Sequence, residues 1–452
     1  MRNLVVILCW LLPFVGMTQQ QKSYSFNLEE AIAFAIDSNY TAINARRDIA
    51  KALKQKWETT ATGLPQISAD IAYQNNLKQP VTLIPAEITG GEPGTFVPIT
   101  FGTKQNASAT ATLNQLIFDG SYLVGLKAAR AFLDYSENAN EKTQLEVRKG
   151  VINAYGSVLL SEELIAIFEK NKTNLEKNLF ETKKIYENGL TEEESVEQLE
   201  ITLLDIETQL SNAQRTAAIA RQMFNVALGI DVSAQVSFED SLSSLAENNI
   251  QLSFLEASLQ VEQNIDYKIA YNLTEQRSLE LKLEKSRALP RLTAFLNYGT
   301  AANSDDFTFF NSEQRWFQSS ILGVNLNIPI FSSGMRGAKT QRARIALDQA
   351  ETQLTETVQR IQLAVNSAKS NYQFAIENYK NSKINLSLAE RIEGKNQVKF
   401  TEGLATSFEL RQAQTQLYTA QQQYFQAMLE LINNKAVLET VLNSPQLINS
   451  NN

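Results

Sequence analysis

The chain has 452 residues, 43% hydrophobic and 20% charged with nine prolines, a balance that excludes both a disordered chain and a bundle of membrane helices. A formal net charge of −8 and a pI near 5.1 exclude a nucleic-acid binder, which needs clustered positive charge to displace counterions. There is no histidine and a single cysteine, Cys9, so the chain beyond the leader described next lacks imidazole acid/base groups, disulfides and thiolate metal sites, and no enzyme activity, cofactor or metal is expected.

Residues 1–18 have the layout of a cleavable secretory leader, with Arg2, an apolar run from Leu4 to Val15, and Gly16-Met17-Thr18 at the expected cut. No later window approaches ~20 consecutive apolar residues, so no helical membrane span is expected. From Asn27 to about Thr62 the pattern predicts a helix, with Asn27 as N-cap and Glu29 and Glu30 in the first turn. Gly63 and Leu64-Pro65 end it. The period then changes to two. Ile67, Ala69, Ile71 and Tyr73 alternate with Ser68, Asp70, Ala72 and Gln74, and a second run sets Ala107, Ala109, Ala111 and Leu113 against Asn106, Ser108, Thr110, Thr112 and Asn114. The loop between is rich in Pro and Gly, from Pro80 to Pro98, which predicts a long-tipped hairpin ending at Phe118-Asp119-Gly120.

A heptad seam follows: Val147, Val151, Ala154, Val158, Ser161, Ile165, Phe168, Leu175, Leu179 and Tyr186. Gly189-Leu190-Thr191 then reads as a turn, with glycine at the helix C′ position and Thr191 able to cap the returning helix, which runs to about Gly229. The second half repeats this order. Asn264 and Leu289-Pro290 lie 225 residues after Asn39 and Leu64-Pro65. Strands are expected from Leu292 to about Thr300 and from about Phe317 to Phe331, around a polar and aromatic tip, Asn303 to Trp316. Leu354, Val358, Ile361, Val365, Ala368, Tyr372, Ala375, Tyr379, Ser382, Leu386, Ala389 and Ile392 continue the seam 214 residues on, followed by the turn Gly403-Leu404-Ala405-Thr406. The expected organisation is a first repeat over 19–245, with hairpin 64–118, long helix 121–188 and returning helix 191–229. A second repeat covers 246–452, with hairpin 289–331, long helix 335–402, returning helix 405–443 and a C-terminal tail.

At ~1.5 Å per residue each long helix would measure on the order of 100 Å. Each strand has about the ~9–11 residues that a tilted membrane strand needs. Four strands cannot close a barrel, and an open edge in lipid costs several kcal/mol per unpaired backbone group. Three chains sharing one barrel would remove the edges, with twelve strands. The residues alone also leave open a small soluble β-cap on a helical rod, which the alanine-rich face of the second strand allows.

The ordered set Leu28-Glu29-Glu30-Ala31 with Asn39, Leu64-Pro65 and Leu289-Pro290, Phe118-Asp119-Gly120 and Phe331 with Gly334, and the paired Gly-Leu turns resembles the TolC-like outer-membrane efflux proteins, over about Phe26 to Leu442. The resemblance implies a mixed α/β membrane protein, mainly long α-helical coiled-coil hairpins, with four β-strands per chain contributing to a trimeric 12-stranded outer-membrane β-barrel above a periplasmic α-helical tunnel. It implies a homotrimer in the outer membrane of a Gram-negative bacterium, working with a periplasmic adaptor (membrane fusion) protein and an inner-membrane pump of a tripartite efflux or type I secretion system. Gly189, Leu190, Thr191, Gly403, Leu404 and Ala405 correspond to the adaptor-docking tips. Glu409 and Gln412 fall where relatives carry two aspartates that narrow the closed tunnel; as a lone glutamate on a helix, Glu409 also reads as a solvated surface charge. Asn106, Ser108, Thr110 and Asn114 are expected to line the barrel lumen. Two other classes fit parts of the sequence: a flagellin-like filament or scaffold, opposed by the leader and hairpins, and an enzyme, opposed by the lack of a catalytic cluster.

Overall fold

The computed structural model describes residues 24–443, so the leader expected over 1–18 lies outside them. In chain order the first half comprises β1 (Tyr24–Phe26), α1 (Leu28–Ser38), α2 (Tyr40–Ala61), β2 (Gln66–Asn75), β3 (Val81–Pro85), β4 (Phe96–Thr100), β5 (Gln105–Asp119), α3 (Gly120–Glu187) and α4 (Glu193–Leu228). Next come β6 (Val236–Phe238), α5 (Leu242–Asn248), α6 (Ser253–Glu256), α7 (Ile265–Ser286), β7 (Arg291–Ser304), β8 (Phe317–Asn327), α8 (Met335–Thr401) and α9 (Ser407–Val441).

Two expectations are corrected. The helix over Asn27–Thr62 is two helices, because Asn39 adopts extended backbone (ψ 134°). Its Oδ1 accepts from Thr41 N at 2.8 Å and its Nδ2 donates to Ala227 O at 2.8 Å, so one side chain starts α2 and ties the break to α4. Asn264 repeats the first device, its Oδ1 accepting from Asp266 N at 2.9 Å to cap α7. The second strand of the later hairpin stops at Asn327, before Pro329, which has no N–H to offer a ladder. By length and composition alone α3 could cross a membrane, but 44% of its most apolar stretch is buried within the molecule, as in any packed core helix, and the expectation of no helical span is not overturned.

The chain forms two compact units, each drawn from both sequence halves. The first comprises residues 24–44, 142–260 and 361–443 of the described chain. Here the heptad seams bury themselves. Val151, Tyr155 and Val158 of α3 and Tyr372, Ala375 and Tyr379 of α8 share a core with Phe224 and Leu228 of α4, Leu431 and Ile432 of α9, and Ala31 and Ile32 of α1. A second cluster joins Phe168, Leu175 and Leu179 to Leu199, Ile206, Ala389 and Leu417. Each such side chain contributes roughly 1.5–3 kcal/mol on burial. β1 and β6 form a short parallel pair at the edge of this core.

The second unit comprises residues 45–141 and 261–360. Its centre is a four-stranded antiparallel sheet in the order β2-β5-β7-β8. β3 and β4 pair only with each other, at the tip of the first hairpin. The strand–helix junctions explain the motifs. Gly63 lies so close to Tyr122 that a Cβ there would come within 2.3 Å of its ring. Asp119 Oδ1 accepts from Ser121 N at 2.7 Å and caps α3.

Candidate functional site

The sheet register sorts its side chains onto two faces, since directly paired residues share a face and alternate residues oppose it. Ile67, Ala69, Ile71 and Tyr73 pair with Leu113, Ala111, Ala109 and Ala107. The same face continues through Leu296, Tyr298, Thr300 and Ala302 of β7 to Leu322, Val324 and Leu326 of β8. The other face is mainly polar, with Ser68, Asp70 and Gln74 beside Thr112, Thr110 and Asn106, then Asn297, Ser319 and Asn325, interrupted by Phe295, Ile321 and Phe317 on β7 and β8. Asn106, Ser108, Thr110 and Asn114 all lie on this polar face. Sequence reading named only these four, because the period of one strand does not reveal which strands flank it. The two outer strands, β2 and β8, each have one neighbour, leaving a free edge on either side of the sheet among the described residues. All ten residues of β2 are exposed.

The turns after α3 and α8 have one geometry. Gly189 and Gly403 sit at φ +74° and +72°, in the left-handed region where a side chain would be strained. Leu190 N donates to Ile185 O at 3.1 Å and Gly189 N to Tyr186 O at 2.8 Å. Leu404 N and Gly403 N make the same bonds to Lys399 O at 2.7 Å and Phe400 O at 3.0 Å, so both turns are Schellman closures. Neither glycine has an atom near its missing Cβ, so conformation alone requires it. Leu190 and Leu404 project outward, 79% and 78% exposed. Ser407 Oγ donates to Ser195 Oγ at 3.0 Å and holds the two turns side by side.

The helices leaving the turns start differently. Thr406 caps α9: its Oγ1 accepts from Glu409 N at 3.2 Å, while the Glu409 carboxylate accepts from Thr406 N at 2.8 Å. The Thr406 backbone N–H, then its hydroxyl, hold the Glu409 carboxyl below its ordinary range. Thr191 makes no such cap. Its hydroxyl donates to Ser195 Oγ at 3.3 Å, and the N-cap of α4 is Glu192 without a side-chain bond. Glu409 is therefore engaged at its own helix start, a role legible in the Thr406-Ser-Phe-Glu409 spacing. Ala405 N completes the second turn on Lys399 O at 3.2 Å. Gln412 is exposed and lines an open polar groove with Arg411, Thr415, Gln416 and Thr419.

Sequence reading missed a buried charge cluster. Arg148 Nη2 of α3 lies 2.6 Å from Glu439 Oε2 of α9, and Lys435 Nζ lies 3.5 Å from Oε1, with all three side chains at most 5% exposed. The arginine approach is an ion-pair contact outside hydrogen-bond geometry, and Arg148 Nε also lacks an acceptor. Burial holds the Lys435 ammonium below its ordinary range, against the raising effect of Glu439. The three line a cavity of about 340 Å³. Asp240 borders it too, but its Oδ2 accepts from Leu28 N at 2.8 Å and Tyr155 Oη at 3.0 Å.

Residues 44–229 and 270–444 match the family of outer membrane efflux proteins. Solved structures of outer-membrane channels share the fold. CusC, solved in connection with folding and transmembrane channel formation, superposes with a TM-score of 0.73 over 92% of this chain and 91% of its own, at 17% identity. The CmeC outer membrane channel of Campylobacter jejuni gives 0.72 over 92% and 85%, at 14% identity. The outer membrane protein VceC of Vibrio cholerae gives 0.71 over 92% and 95%, at 15% identity. No curated protein sequence matches the chain.

Proposed function

The chain belongs to the outer membrane efflux protein family, and on that premise we propose that it is the exit duct of a tripartite efflux or type I secretion system, conducting passively what an inner-membrane pump delivers. It is an outer-membrane efflux channel protein with a periplasmic extension. The observation that carries the finer reading is the sheet: one apolar face, one polar face and two unpaired edges. In lipid those edges must be satisfied, and pairing β2 of one copy with β8 of the next closes three sheets into twelve strands. The polar face, including Asn106, Ser108, Thr110 and Asn114, then lines a watery lumen. Passage needs no covalent step.

The tips fit a periplasmic adaptor. Two exposed leucines on fixed glycine turns offer apolar knobs to the grooves of a partner's helical hairpin. We read any constriction near Glu409 and Gln412 as weakly charged, since the one carboxylate is held by Thr406 and the other side chain is neutral.

Cysteine accessibility tests the duct, because Cys9 is the only native cysteine. In planar bilayers, Thr110→Cys on the polar face should lose conductance when a charged thiol reagent is added, and Ala109→Cys on the apolar face should not. Equal response of the two, or a purified oligomer that never conducts, overturns the reading. Leu404→Ser should weaken capture of the adaptor without changing assembly.

A further inference from the structure

We propose that the aromatic cluster formed by Tyr73, Phe307, Phe309, Phe310 and Trp316 is a lipid-contact site that seats at the polar–apolar boundary of the outer leaflet and fixes the depth of the sheet in the bilayer. This rests on the outer-membrane channel reading and adds to it a named contact with lipid.

The register supplies the first step. On β7 the apolar face runs from Leu292 through Ala294 and Leu296 to Tyr298, then turns polar at Thr300. On β8 the same face runs from Leu326 through Val324 and Leu322, then turns polar at Ser320 and Gln318. At about 3.3 Å per residue, Leu292 to Tyr298 covers about 20 Å along the strand, which at a tilt of ~35–45° fits inside the ~25 Å-tall apolar band of a membrane barrel. Tyr73 of β2 pairs with Ala107, which pairs with Ala302, so it lies on this same face four residues beyond the level of Tyr298, at the end far from the long helices. That level is about 13 Å along the strand past Tyr298 and about 33 Å from Leu292, which at the ~35–45° tilt of membrane strands puts it at the edge of a ~25 Å apolar band, where the amphipathic rings of Tyr and Trp concentrate.

The loop after β7 folds onto that position. Phe307 and Phe309 approach Tyr73 with ring centroids at 5.6 and 5.8 Å, across β5, which separates their strands. Phe310 joins Phe307 at 5.8 Å and Trp316 joins Phe309 at 6.4 Å. The loop is held from within by Thr308 Oγ1 donating to Gln314 Oε1 at 2.5 Å and from just before β5 by Lys104 N donating to Asp305 Oδ1 at 3.1 Å. Its geometry buries Phe309 yet leaves Phe310 91% and Phe307 58% exposed. The two exposed rings are neighbours, so they form a contiguous apolar patch rather than scattered surface residues. Asp305, Asp306, Glu313 and Arg315 flank the rings in sequence and supply the wet side that such a boundary needs. The cluster is continuous with the lipid-facing side of the sheet, and that continuity identifies its occupant as the bilayer.

Trp10→Phe with Trp57→Phe leaves Trp316 as the single indole. The assembled protein is reconstituted into phosphatidylcholine vesicles whose acyl chains carry bromine at a shallow or a deep position, and Trp316 emission is read with and without iodide. The expected result is greater loss of emission with shallow bromines than with deep ones, and little loss with iodide. A second reporter, Phe310→Trp with Trp316→Phe in the same background, should behave alike. Quenching by iodide but not bromolipid, by deep bromines more than shallow, or by neither, as when a neighbouring copy covers the rings, overturns the proposal while the channel reading stands. Failure of the wild-type protein to enter vesicles or conduct overturns both, and is seen separately by flotation and conductance.

Discussion

Glu439→Gln tests the buried charge cluster that joins α3 to α9. One carboxylate faces two cations, Arg148 at 2.6 Å and Lys435 at 3.5 Å, all but excluded from solvent. Removing one partner of a buried pair costs about 3–5 kcal/mol, because it strands the other charge. Glutamine keeps the shape and one acceptor, which places the loss near the lower end, about 3 kcal/mol. At about 1.4 kcal/mol per tenfold, local opening should become roughly a hundredfold more frequent. Hydrogen–deuterium exchange of the detergent-solubilised assembly reads this directly in peptides from 143–158 and 428–441. Adding Lys435→Met should recover part of the loss by removing one stranded charge. The pH sign is fixed. Lys435 is held below its ordinary 10.5 in the folded state, and losing Glu439 lowers it further. Between the folded and unfolded values the unfolded chain binds more protons, so the Glu439→Gln variant should regain stability as pH rises into that window. Less than a few-fold change in exchange, or a further loss on adding Lys435→Met, would refute this account.

Three further outcomes are expected. Thr406→Ala should cost about 1 kcal/mol of cap stability, seen as faster exchange in the first turn of α9, while Thr191→Ala leaves the start of α4 almost unchanged because it caps nothing. Gly229→Ala should cost about 2 kcal/mol or more in thermal stability, since φ is +78° and its Cβ would lie 2.2 Å from Ser38 O. The Glu409 carboxylate is held below its ordinary 4.5 by the Thr406 N–H, so the cap's contribution is complete above that value and is lost as pH falls through the lower folded value. Exchange of the α9 first turn measured from neutral pH downward should accelerate only in that acid range, and an equal response in Thr406→Ala would remove the cause.

Legibility followed the range of each interaction. The heptad seams could be read because Val151, Val158, Val365 and Tyr372 recur at the helical period, and the same residues are buried. The glycine turns could be read because their closure is local. Asn39 could not be recognised as a break, since the residues around it suit a helix and its decisive partner is Ala227. The pairing of Arg148 with Glu439 joins segments with no shared pattern. The polar face of the sheet was half visible: β5 alternates plainly, but its neighbours emerge only from the register. Glu409's cap with Thr406 was legible in the local Thr406-Ser-Phe-Glu409 spacing, whereas a place at a constriction depends on neighbouring copies that no single-chain pattern encodes.

The short parallel pairing of β1 with β6 carries a consequence for biogenesis. Leu28 N is held by Asp240, 212 residues later in the chain, beside that pair. A polypeptide delivered N-terminus first presents Tyr24–Phe26 long before Val236–Phe238 arrives, and the β1–β6 pair cannot form until then. Closing so wide a gap is entropically slow, so lasting order in this region comes late in export. The fold thereby ties its earliest described segment to one that emerges more than two hundred residues later, so this corner of the core consolidates last.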